Sequence, residues 1–300
     1  MDSPPHAPDV SVVIAAKNEE IYVAEAVSSI LGQQGLALEL LFVDDGSTDR
    51  THAIVSEFTE RHPNLRLLRS PGTGKVSAFN HGIEQSKGRF VCLFAGDDIM
   101  PQDSLAGRWQ AIKNIASDQP VGGLCRLITM SEVQSQDGVL IPKDANRGAL
   151  TGQSYLIDRT AIVKLFPVPD TLPNEDTWLE TAVLHFDVMI VHCGVIGCKW
   201  RVHAGNSINM LMTYDDFNRR LTPRMGAYAM FLSKHGGELT EESRSRLEAK
   251  VDCEEGRKAG SIVRILRSNA GTVEKLRALS LSSRPIYEVR RRLYGLLSGW

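Results

Sequence analysis

Residues 10–16 have the sequence VSVVIAA, an uninterrupted apolar run that ends at the polar stretch KNEE, residues 17–20. A strand covered on both faces has such a run, whereas a strand with one face in water alternates apolar and polar residues. Residues 19–34 then carry apolar side chains at spacings of three and four, the pattern of an amphipathic helix. The stretch therefore predicts a buried strand, a polar loop and a helix in succession.

Similar strands recur through the first hundred residues. Short apolar runs stand at LELLFV (38–43), LRLLR (65–69) and RFVCLFA (89–95), and segments with helical spacing separate them. Alternating strands and helices imply right-handed crossovers and a mostly parallel sheet flanked by helices. The predicted fold class is therefore α/β.

Beyond Pro101 the alternation becomes irregular. A helix is expected at about 103–116, and from about 214 to the end the pattern is helical and rich in charge. The part between adds a second, mixed portion to the sheet, whose last two strands form a closing pair. The expected strands are 121–130, 138–142, 187–193 and 197–203, and the expected helices are 158–166 and 175–186.

The composition limits the class of the protein. Three hundred residues with 42% hydrophobic content can bury a sizeable core. A net charge of -2 and a pI near 6.5 give no basic field of the kind that gathers nucleic acid, so no nucleic-acid partner is expected. The polar start MDSPPHAPD is unlike a signal sequence, and no apolar run reaches the roughly 20 residues of a membrane span. These features predict a cytoplasmic protein.

The cysteines give little support to a zinc centre. Cys92 lies within an apolar strand, where a reduced thiol packs as a small hydrophobic residue. Cys193 and Cys198, with His192 beside them, suggest a metal site, but the CxxC spacing of structural zinc is absent. Zinc is therefore not favoured.

Acidic residues follow three of the predicted strands. The first strand leads into KNEE (17–20), the second into DDGSTD (44–49) and the fourth into GDD (96–98). Because the carboxyl ends of parallel strands share one edge of a sheet, these loops are expected to open on one rim. Clustered acids repel each other unless something positive lies among them. Hard oxygen ligands favour Mg²⁺ or Mn²⁺, and both ions commonly bind with a phosphorylated substrate.

The segment PGTGKVS (71–77) is similar to a phosphate-binding P-loop but does not match the pattern G-x-x-x-x-G-K-[ST]. Arg69 stands where the pattern has its first glycine, and Val76 stands where it has Ser or Thr. A Walker-type nucleotide site is therefore disfavoured. Lys75 remains at a helix start near the acidic rim, either in solvent or within reach of a phosphate or an acid.

Five segments together resemble the family 2 glycosyltransferases. VSVVIAAKNEE, ELLFVDDGSTD, GKVSAFNHGIEQSKGRFVCLFAGDD, NEDTWLE and WRVHAGNS occur in the order and rough spacing of that family, over roughly residues 9–207. The resemblance implies the GT-A fold and an inverting enzyme that uses nucleotide-activated sugars. It also implies a catalytic domain at 1–212, with a nucleotide-binding half at 9–100 and an acceptor half at 101–212. A helical region at 213–300 follows.

The resemblance assigns donor-binding roles along the rim. The usual donor of the family is a UDP-sugar, whose base and ribose Asp44 and Asp45 would hold. The implied donor-binding residues are Ala15, Ala16, Asn18, Glu19, Asp44, Asp45, Lys75, Gly96 and Asp98. DDGSTD also has the composition of a turn and a helix cap, which is compatible with ligand binding. AAKN (15–18) stands where the family commonly has PTYN, so one aromatic contact to the nucleotide is missing.

The metal motif of the family, D-x-D, aligns with Ala95, Gly96 and Asp97. Its first acid is therefore missing, and Asp98 matches a further acid often found beside the motif. The resemblance implies that Asp97 and His203, the latter from the R-x-H segment, bind a divalent cation together with two diphosphate oxygens. That cation would be Mn²⁺ or Mg²⁺.

The NEDTWLE segment supplies the implied general base, Asp176. In a single displacement the acceptor hydroxyl loses its proton as it attacks, and a carboxylate can accept that proton. Without the family context, Asn174 to Asp176 would equally suit a capped helix start, because acids favour the first turn. Glu175 and Gln153 are assigned to the acceptor side.

Two other classes of function stay open to test. A nucleotidyltransferase would need a basic, glycine-rich loop after the first strand, and AAKNEE is acidic there. A non-catalytic protein that binds nucleotide sugars, or a scaffold derived from the family, is compatible with the incomplete D-x-D motif.

The C-terminal segment RPIYEVRRRLYGLLSGW (284–300) combines three consecutive arginines with leucine, tyrosine and tryptophan. This composition suits peripheral contact with an anionic membrane surface, as at the inner face of the membrane. It equally suits a helix packed on the catalytic domain with its arginines in water. The acceptor implied by the resemblance is a glycan or a lipid-linked glycan, as in cell-envelope polysaccharide biosynthesis.

Overall fold

The computed structural model of the chain describes residues 7–115, 119–203 and 212–297, with the backbone alone at 135 and 293–297. The described residues form two compact units. One comprises the residues up to Asp176 together with Asp187–His203, and it contains the sheet. The other comprises Thr177–Phe186 and the described residues from 212 onward, and it is helical.

Eight strands of the described part form one sheet in the first unit. They are β1 (Val10–Ala16), β2 (Leu38–Asp44), β3 (Leu65–Arg69), β4 (Phe90–Ala95), β5 (Val121–Ser131), β6 (Leu140–Ile141), β7 (Tyr155–Asp158) and β8 (Met189–Val202). The order is β3-β2-β1-β4-β7-β5-β6, and β8 also pairs with β5. Pairs among β1–β4 and the β5–β8 pair are parallel, whereas β6 and β7 run antiparallel to their neighbours.

The α-helices of the described ranges cover both the crossovers and the C-terminal region. They are α1 (Val23–Leu31), α2 (Thr51–Thr59), α3 (Lys75–Gln85), α4 (Ser104–Ile112), α5 (Arg159–Leu165), α6 (Asp176–His185), α7 (Tyr214–His235), α8 (Glu241–Lys258), α9 (Ile262–Arg267), α10 (Thr272–Leu281) and α11 (Arg284–Leu297). The predicted alternation of the first hundred residues and the helical character after 214 are therefore confirmed.

The strand β1 is buried along its whole length and lies between β2 and β4. Its carboxyl end is in register with both neighbours, since Ala16 pairs with Asp44 and Ala15 with Ala95. The loops after these three strands therefore start at the same level of the sheet, as their common parallel direction requires. This register brings the predicted acidic loops to one rim.

The expected closing pair of strands at 187–193 and 197–203 is wrong, because one strand, β8, spans both segments. Leu124 of β5 pairs with His192 and Arg126 with Ile196, so three residues of β8 oppose a single residue of β5. Gly194 has φ 69° in this stretch. A glycine within a strand pattern can mark a bulge, which bends a strand without ending it.

The short strand β7 (Tyr155–Asp158) was absent from the sequence prediction, yet it lies inside the sheet between β4 and β5. Four residues give no readable period, so nothing in the sequence separates them from a loop. The strand matters for the site because it immediately follows a 3₁₀ turn at Gly152–Ser154.

The helical unit has its own packing. The buried Trp178 of α6 makes an edge contact with Phe231 of α7, with ring centroids 4.9 Å apart. Tyr287 of α11 is fully buried, and its ring centroid lies 5.3 Å from that of Phe217, with the two rings tilted. Its hydroxyl donates a hydrogen bond to the Met212 carbonyl at 3.0 Å. Aromatic burial of this kind accounts for a large share of a small core's stability.

Gly82 is the position where α3 lies directly on the sheet. A Cβ added there would stand 2.4 Å from Val13 Cγ1 and 3.0 Å from Val43 Cγ2. Gly82→Ala should therefore destabilise the fold by about 1–3 kcal/mol through overpacking. Gly226→Ala, in α7, is the control, because its added methyl meets no described atom within 4 Å and should stabilise the helix by up to about 1 kcal/mol. Urea unfolding followed by circular dichroism measures both changes, and equal midpoints would contradict the close packing of α3.

Candidate active site

The loops after β1 and β2 are joined by hydrogen bonds. The Asp45 amide donates to the Ala16 carbonyl at 2.9 Å. Asn18 has φ 58°, and its side-chain Oδ1 accepts a hydrogen bond from the main-chain amide of Thr48 at 2.8 Å. The main-chain amide of Asn18 donates to Ser47 Oγ at 3.0 Å. Asparagine tolerates this left-handed conformation better than most residues. Two of the predicted donor-binding loops therefore form one surface.

The loop after β4 lies directly against the end of β1. A Cβ on Gly96 would stand 2.6 Å from the Ala16 Cβ and 3.3 Å from the Glu19 Cγ. Ala15 and Ala16 are themselves buried. Only a residue without a side chain allows this approach, so the middle position of the family's metal motif is glycine here for a steric reason.

The acids of this rim perturb one another. The pKa of Glu19 is raised to about 7, first by burial and then by the carboxylates of Asp97 and Asp98, while Arg201 acts in the opposite direction. Asp98 is buried, and burial followed by the neighbouring Asp97 raises its pKa to about 7 as well. The predicted crowding of negative charge at one place is therefore real, and it favours the arrival of either a proton or a cation.

Asp98 is held by groups from distant parts of the chain. Its Oδ1 accepts from the Arg201 amide at 2.8 Å, and its Oδ2 accepts from Gln153 Nε2 at 2.9 Å. The Arg201 side chain donates from Nε to the Asp97 carbonyl at 2.8 Å. Arg201 was not assigned a role from the sequence, although it stands in the same R-x-H segment as His203.

Asp97 and His203 lie side by side. The Nε2 of His203 is 3.1 Å from the Oδ2 of Asp97. The ring of Tyr22 lies 5.6 Å from the His203 ring, and the Arg201 guanidinium lies 4.4 Å from the centre of the same tyrosine. The structure thus brings together the two predicted metal ligands, one carboxylate oxygen and one imidazole nitrogen, in a position fixed by their neighbours.

Asp176 begins α6 and has a donor for each carboxylate oxygen. Oδ1 accepts from the Gly152 amide at 2.6 Å, and Oδ2 accepts from Asn174 Nδ2 at 2.9 Å. A Cβ on Gly152 would stand 2.5 Å from Glu175 Oε1 and 3.1 Å from Asp176 Oδ1. The residue is half-buried. Its orientation is therefore set by a glycine that sequence reasoning did not identify.

One turn connects the two halves of the site. Gly152 donates its amide to Asp176, and the next residue, Gln153, donates its side chain to Asp98. Two hydrogen bonds from neighbouring residues therefore link Asp176 to Asp98, which directly follows Asp97 in the chain. Gln153 had been assigned to the acceptor side, and its amide now has a defined place beside the acids.

The turn is fixed from beneath by a buried arginine. Arg108 of α4 is fully buried and donates from Nη2 to the Ser154 carbonyl at 2.9 Å. Its Nη1 lies 3.5 Å from the Cys92 thiol. A guanidinium removed from water is costly unless its donors are used. No motif marks Arg108 in the sequence, and only the packing reveals it.

Lys75 pairs with Glu175 rather than standing alone at the rim. Its Nζ lies 3.0 Å from Glu175 Oε1. Glu175 is buried, and its Oε2 has no hydrogen-bond partner among the described residues. The preceding residue, Gly74, donates its amide to both oxygens of Asp45 at 2.9 and 3.0 Å. The α3 start therefore connects the DDGSTD loop to the segment that carries Asp176.

The carboxylates of Asp44 and Asp45 both accept hydrogen bonds from main-chain amides. The buried Asp44 accepts from the Ser47 amide at 2.9 Å, and its Oδ2 lies 3.1 Å from His52 Nδ1. Asp45 receives the Gly74 amide. The turn expected from the composition of DDGSTD is therefore stabilised by the two carboxylates themselves.

In the part of the chain that the structure describes, no three His, Cys, Asp or Glu side chains gather in a way that could hold a metal ion. His192, next to Cys193, accepts at Nδ1 from the Gly148 amide at 2.9 Å. Within the same ranges, every helix is too short or too polar to span a membrane.

Comparisons with known proteins identify the family that the chain resembles. Residues 11–126 match the family model described as Glycosyl transferase family 2. A probable glycosyltransferase YdaM of Bacillus subtilis is 34% identical over 200 residues, which are 59% of this chain and 46% of that protein. The succinoglycan biosynthesis protein ExoO of Rhizobium meliloti is 31% identical over 147 residues, 45% of this chain and 41% of that protein.

A β-monoglucosyldiacylglycerol synthase of Synechocystis is 36% identical over 103 residues, 33% of this chain and 22% of that protein. The chain thus spans less than half the length of each of these relatives.

Solved structures match almost the whole chain. S. aureus TarS 1–349 in complex with UDP-GlcNAc has a TM-score of 0.60 at 17% identity, covering 97% of this chain and 88% of that one. The mannosyltransferase PcManGT of Pyrobaculum calidifontis, in complex with GDP-Man and Mn²⁺, has a TM-score of 0.59 at 18% identity, covering 98% and 88%. At such identities the likeness shows the fold, and the predicted GT-A fold is confirmed.

Glu175 provides a test of the charge balance in the site. Burial raises its pKa above the ordinary 4.5, Asp176 raises it further, and Lys75 acts in the opposite direction. The folded state therefore binds this proton more tightly than the unfolded chain, so the contribution to stability falls as the pH rises above about 4.5. Glu175→Gln keeps the shape and an acceptor for Lys75 but does not titrate.

The wild type should therefore lose unfolding free energy relative to Glu175→Gln as the pH is raised from acidic to neutral values. Urea unfolding at several pH values measures this difference, and Glu84→Gln, an exposed glutamate of α3, is the control. Parallel pH profiles for the wild type and Glu175→Gln would contradict the assignment.

Proposed function

We propose that this protein transfers a sugar from a nucleotide-diphosphate donor to a glycan or lipid-linked acceptor with inversion of configuration. The match of residues 11–126 to the model of glycosyl transferase family 2 supports this proposal. The donor is a UDP-sugar. The observation that carries the proposal is the turn at 152–153, which connects Asp176 to Asp98 and thereby to Asp97 and His203. A reaction of this kind needs a proton acceptor and a stabilised leaving group at one place.

The donor nucleotide binds at the joined loops after β1 and β2. The small, buried residues Ala15 and Ala16 end β1 at this place, and Asn18 stands at the exposed edge. The remaining acceptor capacity of Asp44 and Asp45 contacts the base and ribose, since each carboxylate oxygen can accept more than one hydrogen bond. The UDP-GlcNAc complex of TarS, which shares the fold, supports a uridine nucleotide.

Asp97 and His203 are the proposed ligands of a divalent cation, Mn²⁺ or Mg²⁺. The donor set fits such an ion, because a carboxylate oxygen and an imidazole nitrogen converge at 3.1 Å. When bound, the ion offsets the negative charge that develops on the leaving diphosphate. PcManGT, with GDP-Man and Mn²⁺, supports a cation in this fold. Arg201 orients Asp97 through its main-chain carbonyl.

Asp176 is the proposed general base. Its two hydrogen bonds fix the carboxylate, and the remaining lone pairs are available to an acceptor hydroxyl. The hydroxyl oxygen bonds to the anomeric carbon as the bond to the diphosphate breaks, and its proton passes to Asp176. One displacement inverts the configuration at that carbon.

The acceptor lies on the side of Glu175 and Gln153. Glu175 directly precedes the proposed base, and one of its oxygens has no hydrogen-bond partner among the described residues. The names of two relatives, a succinoglycan biosynthesis protein and a β-monoglucosyldiacylglycerol synthase, support a polysaccharide or a lipid-linked substrate. The catalytic region is residues 1–212, and we place the reaction in the cytoplasm, at the inner face of the membrane.

The arginines of α11 are proposed to contact that membrane face. Residues 298–300 and the side chains of 293–297, which complete the predicted segment, lie outside the described residues. Arg291 and Arg292 are exposed. Because Tyr287 is buried in the helical unit, substitution of these arginines tests the contact more cleanly than removal of 284–300.

Asp176→Asn should lower kcat by about 100- to 10,000-fold, since the general base is lost while the shape remains. Asp97→Ala should lower it by about 100-fold or more, because the leaving group loses its stabilising partner. UDP release from a panel of UDP-sugars, with and without glycan acceptors, measures both. Asp9→Asn is the control, because Asp9 precedes the opposite, amino end of β1 and binds the Ala37 amide. Near wild-type turnover in both site variants would contradict the mechanism.

UDP binding should depend on the cation. Calorimetry should give tighter UDP binding with MnCl₂ than with EDTA, and His203→Ala should lose the difference while the control His62→Ala keeps it. An unchanged dissociation constant on adding MnCl₂ would contradict the metal site. UDP binding without turnover of any donor would favour the alternative, a non-catalytic nucleotide-sugar-binding or scaffold protein.

A further inference from the structure

The helices α9 and α10 expose more apolar surface than their neighbours. Five large side chains on them are directed to solvent, and we call this set the α9–α10 surface. Their exposed fractions are Ile262 47%, Val263 59%, Leu266 56%, Val273 76% and Leu276 60%. Single exposed apolar residues are ordinary, but five on two short neighbouring helices are the kind of patch that marks an interaction site.

The two helices pack through their other faces. Ile265 of α9 and Ala278 of α10 are buried in one small apolar cluster. Lys275 of α10 donates from Nζ to the Leu266 carbonyl at 3.0 Å, so the two helices are adjacent at the surface as well as in the core. The exposed apolar side chains therefore belong to one continuous surface.

The segment that contains the two helices has a positive net charge. Residues 262–281 contain four Arg or Lys and one Glu, a net charge of +3, whereas the whole chain has 34 basic and 36 acidic residues. The other residues therefore carry 30 basic and 35 acidic side chains, a net charge of -5. On the surface itself Arg267 is exposed, and Arg264 forms an exposed pair with Asp252 at 2.8 Å. Glu274 on α10 is the acidic residue that reduces the positive charge of these two helices.

We infer that the α9–α10 surface binds an anionic lipid bilayer. Apolar side chains interleaved with arginine suit the boundary between headgroups and acyl chains, where the first are buried and the second meet lipid phosphates. A second copy of this chain fits less well, because a symmetric contact would press the same basic surface against itself. The inference depends neither on the sugar reaction nor on the α11 arginines.

Vesicle co-sedimentation of the full chain tests the surface directly. We expect binding to vesicles that contain phosphatidylglycerol, little binding to pure phosphatidylcholine, and weaker binding as NaCl is raised. Val263→Ser/Leu266→Ser/Leu276→Ser should lower the partition coefficient on the order of tenfold or more. The matched control is Val133→Ser/Val163→Ser/Leu184→Ser, three exposed apolar residues elsewhere, which should bind as the wild type does.

A second pair of variants keeps the apolar side chains. Arg264→Gln/Arg267→Gln should weaken binding by about fivefold for each charge removed. Arg61→Gln/Lys87→Gln, exposed basic residues of the other unit, are the control. Because these changes leave the core untouched, they decide the question even if the serine variant folds poorly by circular dichroism.

Several results would overturn the inference. One is that the wild type does not bind anionic vesicles. Another is that the serine variant and the arginine variant each bind as well as their control variants. A third is that binding is lost only in Arg291→Gln/Arg292→Gln. A wild-type dimer in solution that the serine variant converts to a monomer, without any vesicle binding, would assign the surface to self-association instead.

Discussion

The hydrogen bond from the Gly152 amide to Asp176, with the neighbouring bond from Gln153 to Asp98, is the constraint on which the site depends. Asp176 and Asp98 are 78 residues apart in sequence, and this turn links them through two hydrogen bonds. The turn is itself fixed because Arg108 donates to the Ser154 carbonyl and because β7, which follows directly, is paired on both sides. The position of Asp176 relative to Asp98 is therefore set by the sheet, through the short strand β7, which pairs antiparallel with β4.

The electrostatics of the site follow from the same packing. Placing Asp98 out of water next to Asp97 costs free energy when both are ionised, and the pKa values of Asp98 and Glu19 accordingly rise to about 7. The Arg201 amide and Gln153 offset part of this cost at Asp98. The diphosphate of the proposed donor would add further negative charge, so its binding here would require a compensating cation or the uptake of protons. Ala95 stands where the metal motif has its first acid, so the cluster holds one negative charge fewer. Asp97 remains beside His203.

The sequence was sufficient for features that repeat or that carry a local pattern. The strands β1 to β4 are continuous apolar runs, and their common direction was enough to bring Asn18, Asp45 and Gly96 to one rim. Contacts that depend on tertiary packing could not be predicted. Arg108 looks like any helical arginine until its contacts with Ser154 and Cys92 are seen, and the four residues of β7 have no period. Two strands were expected where β8 is one strand with a bulge near Gly194. The pairing of Lys75 with Glu175 joins residues a hundred positions apart, and no local signal encodes it.

Acidic and basic residues are concentrated in different parts of the sequence. Acids are concentrated where a cation and a diphosphate are proposed to bind, and basic residues are concentrated in 262–292, so a net charge of only -2 conceals two opposite local fields. The basic part also leaves its apolar residues exposed on α9 and α10, although the buried faces of the same helices form a compact cluster. Exposed apolar surface is unfavourable in free energy when it is in contact with water, and contact with lipid would remove it from water. A substrate carried on a lipid would be confined to that same interface, where a bound enzyme encounters it at high local concentration.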